Sequence, residues 1–247
     1  MKLSVVVLCR DNPAQLRETL ASVPRAVAGR SVQLEVLVVD GSLGRECERL
    51  VEHLALGSGG PPVRWCRLPP RGVYDAMNHA LDMVRGDWLA FMNAGDVYED
   101  DGLALLCAHA EQLLATNGRE GAVAVFGQAW VDPPPGTTPP WLTPDPAMVH
   151  LNRWLRSMVP CHQAFLFSID FARCHPYPVA GAPLADREVM RRAVRLAGPS
   201  CYLPRPVCRF RLGGLSSRNG WKRWFSPWPG LLPRLMRRRA SWWARCC

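Results

Sequence analysis

The stretch Arg71 to Asp96, RGVYDAMNHALDMVRGDWLAFMNAGD, restricts the fold most, because a helix, a chain break, a buried strand and a carboxylate follow one another without a spare residue. Ala76, Met77, Ala80, Leu81 and Val84 recur at three-to-four-residue spacing and so share one helical face; Gly86 stands where that helix should stop. Trp88 to Met92 carries no charged residue and reads as a short buried strand. Asn93, Ala94 and Gly95 break it. Asp96 is left at the strand's carboxyl end, the edge at which open α/β sheets receive ligands. Three more acids, Glu99, Asp100 and Asp101, follow at once.

The preceding residues extend the same alternation. Leu3 to Leu8 is a β-rich apolar run, and Asn12, Pro13 and Gln15 supply a cap, a first-turn proline and a polar third position for a helix to about Ser22. Leu34 to Val39 is a second run, ending in Asp40-Gly41-Ser42. A helical pattern covers Arg45 to Ala55, and Val63 to Arg67 is a third strand. Strands alternating with helices predict an α/β fold with a mostly parallel central sheet flanked by helices. Asp40, an acid closing the second strand, is either a turn residue or a nucleoside ligand. A dinucleotide-binding oxidoreductase is disfavoured, because the loop after the first strand, Cys9-Arg10-Asp11-Asn12-Pro13, lacks glycine and places an acid where a phosphate would sit. No P-loop is present.

With these pieces the chain resembles the family 2 glycosyltransferases of the GT-A fold, in the branch that builds bacterial exopolysaccharide and lipopolysaccharide. The resemblance rests on VVDGS at Val38 to Ser42, RGVYDAMNHAL at Arg71 to Leu81, GDWLAFMNAGD at Gly86 to Asp96, CHQAF at Cys161 to Phe165, LADREVMRR at Leu184 to Arg192, and GGLSS at Gly213 to Ser217. It implies an inverting transfer of sugar from a nucleotide-diphosphate donor to an acceptor hydroxyl. Asp96 matches the last acid of the metal-binding D-x-D element and Asn93 replaces its first, which implies Mg²⁺ or Mn²⁺, hard cations that favour oxygen ligands. Asp40, Arg71, Asp75 and Asn78 fall on donor-side positions; Asp75 reads equally as a first-turn helix acid, Arg71 as a solvated turn residue and Asn78 as a solvent-facing one. Asp186, the second acid of an E-D element whose first is Ala185, is the implied general base at the start of a helix from Asp186 to Leu196. His162 and Gln163, before a strand from Ala164 to Phe167, are candidate acceptor or diphosphate contacts, as is Arg218. Asp96 and Asp186 could each serve only as helix-terminal acids.

Charge is unevenly spread. The first 188 residues hold all 21 acids and sum to −5, whereas the remainder sums to +14. That remainder also carries Trp221, Trp224, Trp228, Trp242 and Trp243, interleaved with arginine and leucine, as in segments that lie in a membrane interface. The expected organisation is a transferase domain at 1–218 and a basic, Trp-rich appendage at 219–247. The expected location is cytoplasmic, peripheral on the inner face of the cytoplasmic membrane, where an anionic surface and a saccharide or lipid-linked acceptor would be met. A nucleotidyltransferase of related fold would show a glycine-rich basic loop after the first strand, absent here. A non-catalytic membrane or nucleic-acid module would leave Asp40, Asp96 and Asp186 unexplained, so no nucleic-acid partner is expected. No run approaches the length of a membrane span, and the proline-rich segment from Val131 to Met148 should be a surface loop. The ten cysteines lack metal-binding spacing and read as reduced, mostly buried thiols.

Overall fold

The computed structural model describes residues 1–55, 61–144, 160–179, 185–198 and 201–213. The chain divides into two compact units, Met1–Asp132 with Pro140–Phe210, and Pro133–Pro139 with Arg211–Cys247. The expected boundary at 218 and 219, Arg218 and the Trp-rich tail lie outside the described residues. In the second unit, Pro133–Pro139 includes a turn in which the Thr137 hydroxyl and backbone N–H both donate to Pro134 O.

The first unit begins with strand β1 (Lys2–Cys9), helix α1 (Pro13–Ala26), β2 (Gln33–Asp40), α2 (Glu46–Ala55), β3 (Val63–Arg67), α3 (Val73–Met83), β4 (Trp88–Asn93) and β5 (Val97–Tyr98). It continues with α4 (Gly102–Gly121), β6 (Ala124–Asp132), β7 (Trp141–Thr143), a 3₁₀ turn at His162–Ala164, β8 (Phe165–Ser168), α5 (Ile169–Cys174), α6 (Ala185–Ala197) and β9 (Tyr202–Arg211). The strand order is β3-β2-β1-β4-β8-β6-β9-β5, with β7 paired to β6. Pairing is parallel among β3, β2, β1 and β4 and antiparallel between β4 and β8, β8 and β6, β6 and β7, and β9 and β5, so the sheet is mixed. The parallel half is the part whose strands alternate with helices in sequence, as crossover connections require. Helix α1 packs with α2 and α4, while α3 packs with α5.

Val5, Val6, Val7, Leu37, Val38, Leu89, Ala90 and Phe91 of the three central parallel strands are all 1% exposed or less, as expected of strands covered on both faces. Most of the predicted elements are present with ends shifted by a residue or two. Helix α1 differs more, running through Pro24 to Ala26 instead of stopping near Ser22. Val23 and Ala26 are fully buried, and their burial, about 1.5–3 kcal/mol for a valine side chain, offsets the hydrogen bond Pro24 cannot donate. The proline-rich segment also contains a short strand, β7, which lies off the main path of the sheet and pairs only with β6, a place where nearby prolines are tolerated.

Parallel register decides what the carboxyl edge presents. Cys9 pairs with Asp40, Asp40 with Arg67, and Leu8 with Asn93, so the ends of four strands come level there. A cavity of about 350 Å³ lined by residues including Met1, Asp87, Trp88, Glu111 and Arg119 opens at the opposite, amino-terminal edge and involves none of the expected site residues.

Candidate functional site

Asp40 ends β2 and is fully buried. Its Oδ1 accepts the Ser42 backbone N–H at 2.8 Å and its Oδ2 accepts the Trp65 indole N–H at 3.3 Å. Ser42 laces this loop to the one after β1, for its hydroxyl accepts from Asp11 N at 2.7 Å and Asp11 Oδ1 accepts from Leu43 N at 3.1 Å. Cys9, Asp40 and Cys47 place their sulfur and oxygen atoms within 4.8 Å of one another. They fit a divalent metal poorly. Both Asp40 oxygens already have donors, and burial, reinforced by the Asp40 charge, pushes the Cys9 thiol far above its ordinary value, away from the thiolate that a metal needs.

Asp96 sits where the sequence suggested and is only 4% exposed. Its turn is tied to α1 by Thr19, which is wholly buried; the hydroxyl donates to Asp96 O at 2.7 Å and accepts from Gly95 N at 2.9 Å. Gly95 has φ 103°, a conformation disfavoured for residues with a side chain. Asp96 N donates to Asn93 O at 3.0 Å, so the two residues close one tight turn. The residue preceding α4 is Asp101, so Asp96 is not that helix's cap. Asp96 thus puts a carboxylate, and Asn93 an amide, on one turn, the hard oxygen donor types that Mg²⁺ and Mn²⁺ accept.

Gln163, expected to contact acceptor or diphosphate, donates from Nε2 to Asp96 Oδ2 at 2.9 Å and accepts from Cys161 Sγ at 2.9 Å. Its neighbour His162 points into aromatic surroundings. The ring lies against Phe91, Phe167 and Tyr177, and Nε2 is joined to the Tyr177 hydroxyl at 2.7 Å. Burial pushes the imidazole below its ordinary value, against the opposing pull of the Asp186 charge, so it is neutral at physiological pH. Tyr177 is anchored in turn by Asn78, whose amide donates to Tyr177 O and accepts from Tyr177 N, both at 2.8 Å. The solvent-facing reading of Asn78 is thereby excluded; its amide is committed to holding Tyr177.

Asp186 lies in the first turn of α6, as predicted. Its Oδ1 accepts from the Tyr74 hydroxyl at 3.0 Å and from Arg187 N at 2.9 Å. Tyr74 stacks on Tyr177 with centroids 5.9 Å apart and planes 9° from parallel. Burial and then the Asp186 charge push the Tyr74 hydroxyl well above its ordinary value, so it stays a donor. Asp75 is in the first turn of α3, 3.7 Å from His79, and Arg71 is exposed beside Gly72, whose φ is 127°. Sequence reasoning missed Thr19, Trp65, Tyr74 and Tyr177. A signal existed for two of them: Thr19 is a polar residue on the apolar stripe of Leu16, Leu20 and Val23, and Tyr74 lies inside the RGVYDAMNHAL motif.

Two adjacent residues thus fork between two carboxylates. Gln163 holds Asp96, and His162 reaches Asp186 through Tyr177 and Tyr74. The family model described as Glycosyl transferase family 2 matches residues 4–137. A PGL/p-HBAD biosynthesis glycosyltransferase of Mycobacterium bovis (strain BCG / Pasteur 1173P2) is 29% identical over 185 residues, covering 74% of this chain and 66% of the relative. The chain therefore spans just under two thirds of that relative's length. Staphylococcus aureus TarS, solved as residues 1–349 with UDP, superposes with a TM-score of 0.64 at 16% identity over 86% of this chain and 61% of that one. The mannosyltransferase PcManGT of Pyrobaculum calidifontis, solved with GDP-Man and Mn²⁺, gives 0.61 at 17% identity over 90% of this chain and 59% of that one.

Proposed function

Because the chain belongs to glycosyl transferase family 2, we propose that it moves a sugar from a nucleotide-diphosphate donor to an acceptor hydroxyl, with inversion at the anomeric carbon. The observation that carries this reading is the fork at His162 and Gln163, which ties a carboxylate suited to a cation and a carboxylate suited to proton removal to one turn. Asp40 and the loop it organises take the nucleoside, with Asp75 and Arg71 nearby on the donor side. Asp96 and Asn93 would hold Mg²⁺ or Mn²⁺, which when bound would stabilise the negative charge of the departing diphosphate. Asp186 accepts the acceptor hydroxyl's proton as the new glycosidic bond forms. The UDP and GDP-Man bound by the two structural neighbours make these nucleotides the first donors to test.

The acceptor in this reading is a saccharide, lipid-linked, at the inner face of the cytoplasmic membrane. The support is the basic Trp-rich sequence from Arg218 to Arg245. Among the described residues no helix is long and apolar enough to cross a membrane. Deleting Gly220 to Cys247 should shift the protein out of the membrane fraction; an unchanged fraction counts against this part of the reading.

Calorimetric titration with UDP, GDP and dTDP, each with and without Mn²⁺, tests the donor assignment. One nucleotide should bind in a metal-dependent way, and Asp96→Ala should lose that binding. Asp186→Asn should keep nucleotide affinity and lose transfer. Binding unaffected by Mn²⁺ or by Asp96→Ala would remove the metal role, and loss of nucleotide affinity in Asp186→Asn would overturn the division of labour between the two acids.

A further inference from the structure

The two oxygens of Asp186 are in unequal surroundings. Oδ1 accepts two hydrogen bonds, from the Tyr74 hydroxyl and the Arg187 backbone, while among the described residues no donor reaches Oδ2. One of those donors is local, the next residue in the chain. The other comes from 112 positions away, on the helix that also carries Asp75 and Asn78.

We propose that Tyr74 is the positioning residue of the base, holding Asp186 by Oδ1 so that Oδ2 is the oxygen presented to the acceptor hydroxyl. The proposal rests on the reading of Asp186 as the base. In the step it serves, the acceptor's proton passes to Oδ2 as the acceptor oxygen bonds to the anomeric carbon. The bond from that carbon to the donor's phosphate oxygen breaks, and its electron pair leaves with the nucleoside diphosphate. A carboxylate side chain at a helix start can rotate, and a base must lie within hydrogen-bond reach of the proton it takes. Pinning one oxygen fixes where the other one is.

Tyr74 is built to serve as a rigid support. Its ring stacks on Tyr177, Tyr177 meets the Phe91 ring edge-on at 5.8 Å, and its backbone is clamped at both ends by the Asn78 amide. The Tyr177 hydroxyl is occupied by His162, so it does not compete for Asp186. Tyr74 also remains protonated, because burial and the neighbouring carboxylate both oppose its ionisation. The hydroxyl therefore donates to Asp186 throughout the working pH range and cannot act as a rival base.

Two measurements on the full chain test this. In protein labelled with ¹³Cζ-tyrosine, the Tyr74 resonance, identified by its loss in Tyr74→Phe, should titrate at lower pH in Asp186→Asn than in the wild type. An unchanged midpoint means the contact does not exist and overturns the proposal. In the second, donor hydrolysis is followed with whichever of UDP-GlcNAc, UDP-glucose and GDP-mannose the wild type cleaves. Tyr74→Phe should lower kcat roughly tenfold, the size expected for one lost hydrogen bond to a charged group, with KM and calorimetric UDP affinity unchanged. A fully active Tyr74→Phe beside an inactive Asp186→Asn overturns the positioning role alone. An active Asp186→Asn removes the base reading and this proposal with it. A Tyr74→Phe protein that melts early and loses UDP affinity shows a structural role and also overturns it.

Discussion

Replacing Thr19 by valine should damage the candidate metal site from the far side of a helix. The two side chains have nearly the same shape, so the substitution removes two hydrogen bonds and leaves packing in place. The hydroxyl lost is the one that donates to Asp96 O at 2.7 Å and accepts from Gly95 N at 2.9 Å, in a position with no solvent exposure. Each backbone group left unpaired in the interior costs about 1–3 kcal/mol, for a total of roughly 2–6 kcal/mol. A chain of this size should then melt about 4–24 °C lower. Differential scanning calorimetry with and without UDP and Mn²⁺ reads both consequences: the free variant melts early, and the ligand-induced rise in its Tm shrinks, because a displaced Asp96 binds the pair more weakly. Thr19→Ser keeps the hydroxyl and should lose only about 1 kcal/mol for its missing methyl. A Thr19→Val protein melting within about 1 °C of wild type, or a Thr19→Ser protein as impaired as Thr19→Val, would refute the reasoning.

Other outcomes follow from particular contacts. Burial works against ionisation of Glu35, yet hydrogen bonds from Ser4 Oγ, Arg85 N and Arg64 together hold it below its ordinary value of 4.5. Its carboxylate therefore contributes stability that is present above that value and lost as pH falls through the lower folded-state value. Glu35→Gln should be less stable at neutral pH and show a shallower acid-side loss in urea titrations. A Cβ on Gly102 would stand 2.3 Å from Val207 O, a backbone atom of β9, so Gly102→Ala should destabilise by about 1–3 kcal/mol or more in denaturant melts. Tyr177→Phe should lower stability by about 1–3 kcal/mol, because a buried partner of the His162 ring is lost; the loss should vanish if His162 is replaced by phenylalanine in the same chain.

The parallel half of the sheet was legible because its strands are buried on both faces and its helices are amphipathic, so each signals its type within a few residues. Asp40 and Asp96 were found at the ends of strands, where breaks in the pattern are visible, whereas Asp186 was found only through the resemblance of LADREVMRR to a family motif. The pairing of β4 with β8 and the path of β9 carry no comparable local signal, since antiparallel partners far apart in sequence are chosen by tertiary packing. Gln163 illustrates the limit at the site. Its motif marked it as functional, but only the fold shows that it faces Asp96 while its neighbour His162 turns the other way. Tyr177, between Pro176 and Pro178, lies in no periodic segment, and its place follows from Asn78, which is 99 residues earlier.

That separation has a consequence for how the protein is made. The strand ends that bring Cys9, Asp40 and Asn93 level are all within the first 93 residues and join neighbouring crossover units. The base side closes contacts spanning 99 and 112 residues, the kind of long-range ordering that comes late in folding. During synthesis the amino-terminal strands leave the ribosome able to pair while the Asn78 amide and the Tyr74 hydroxyl still wait for Tyr177 and Asp186. A nascent chain can thus acquire the edge expected to receive the nucleotide before it owns the carboxylate expected to spend the donor.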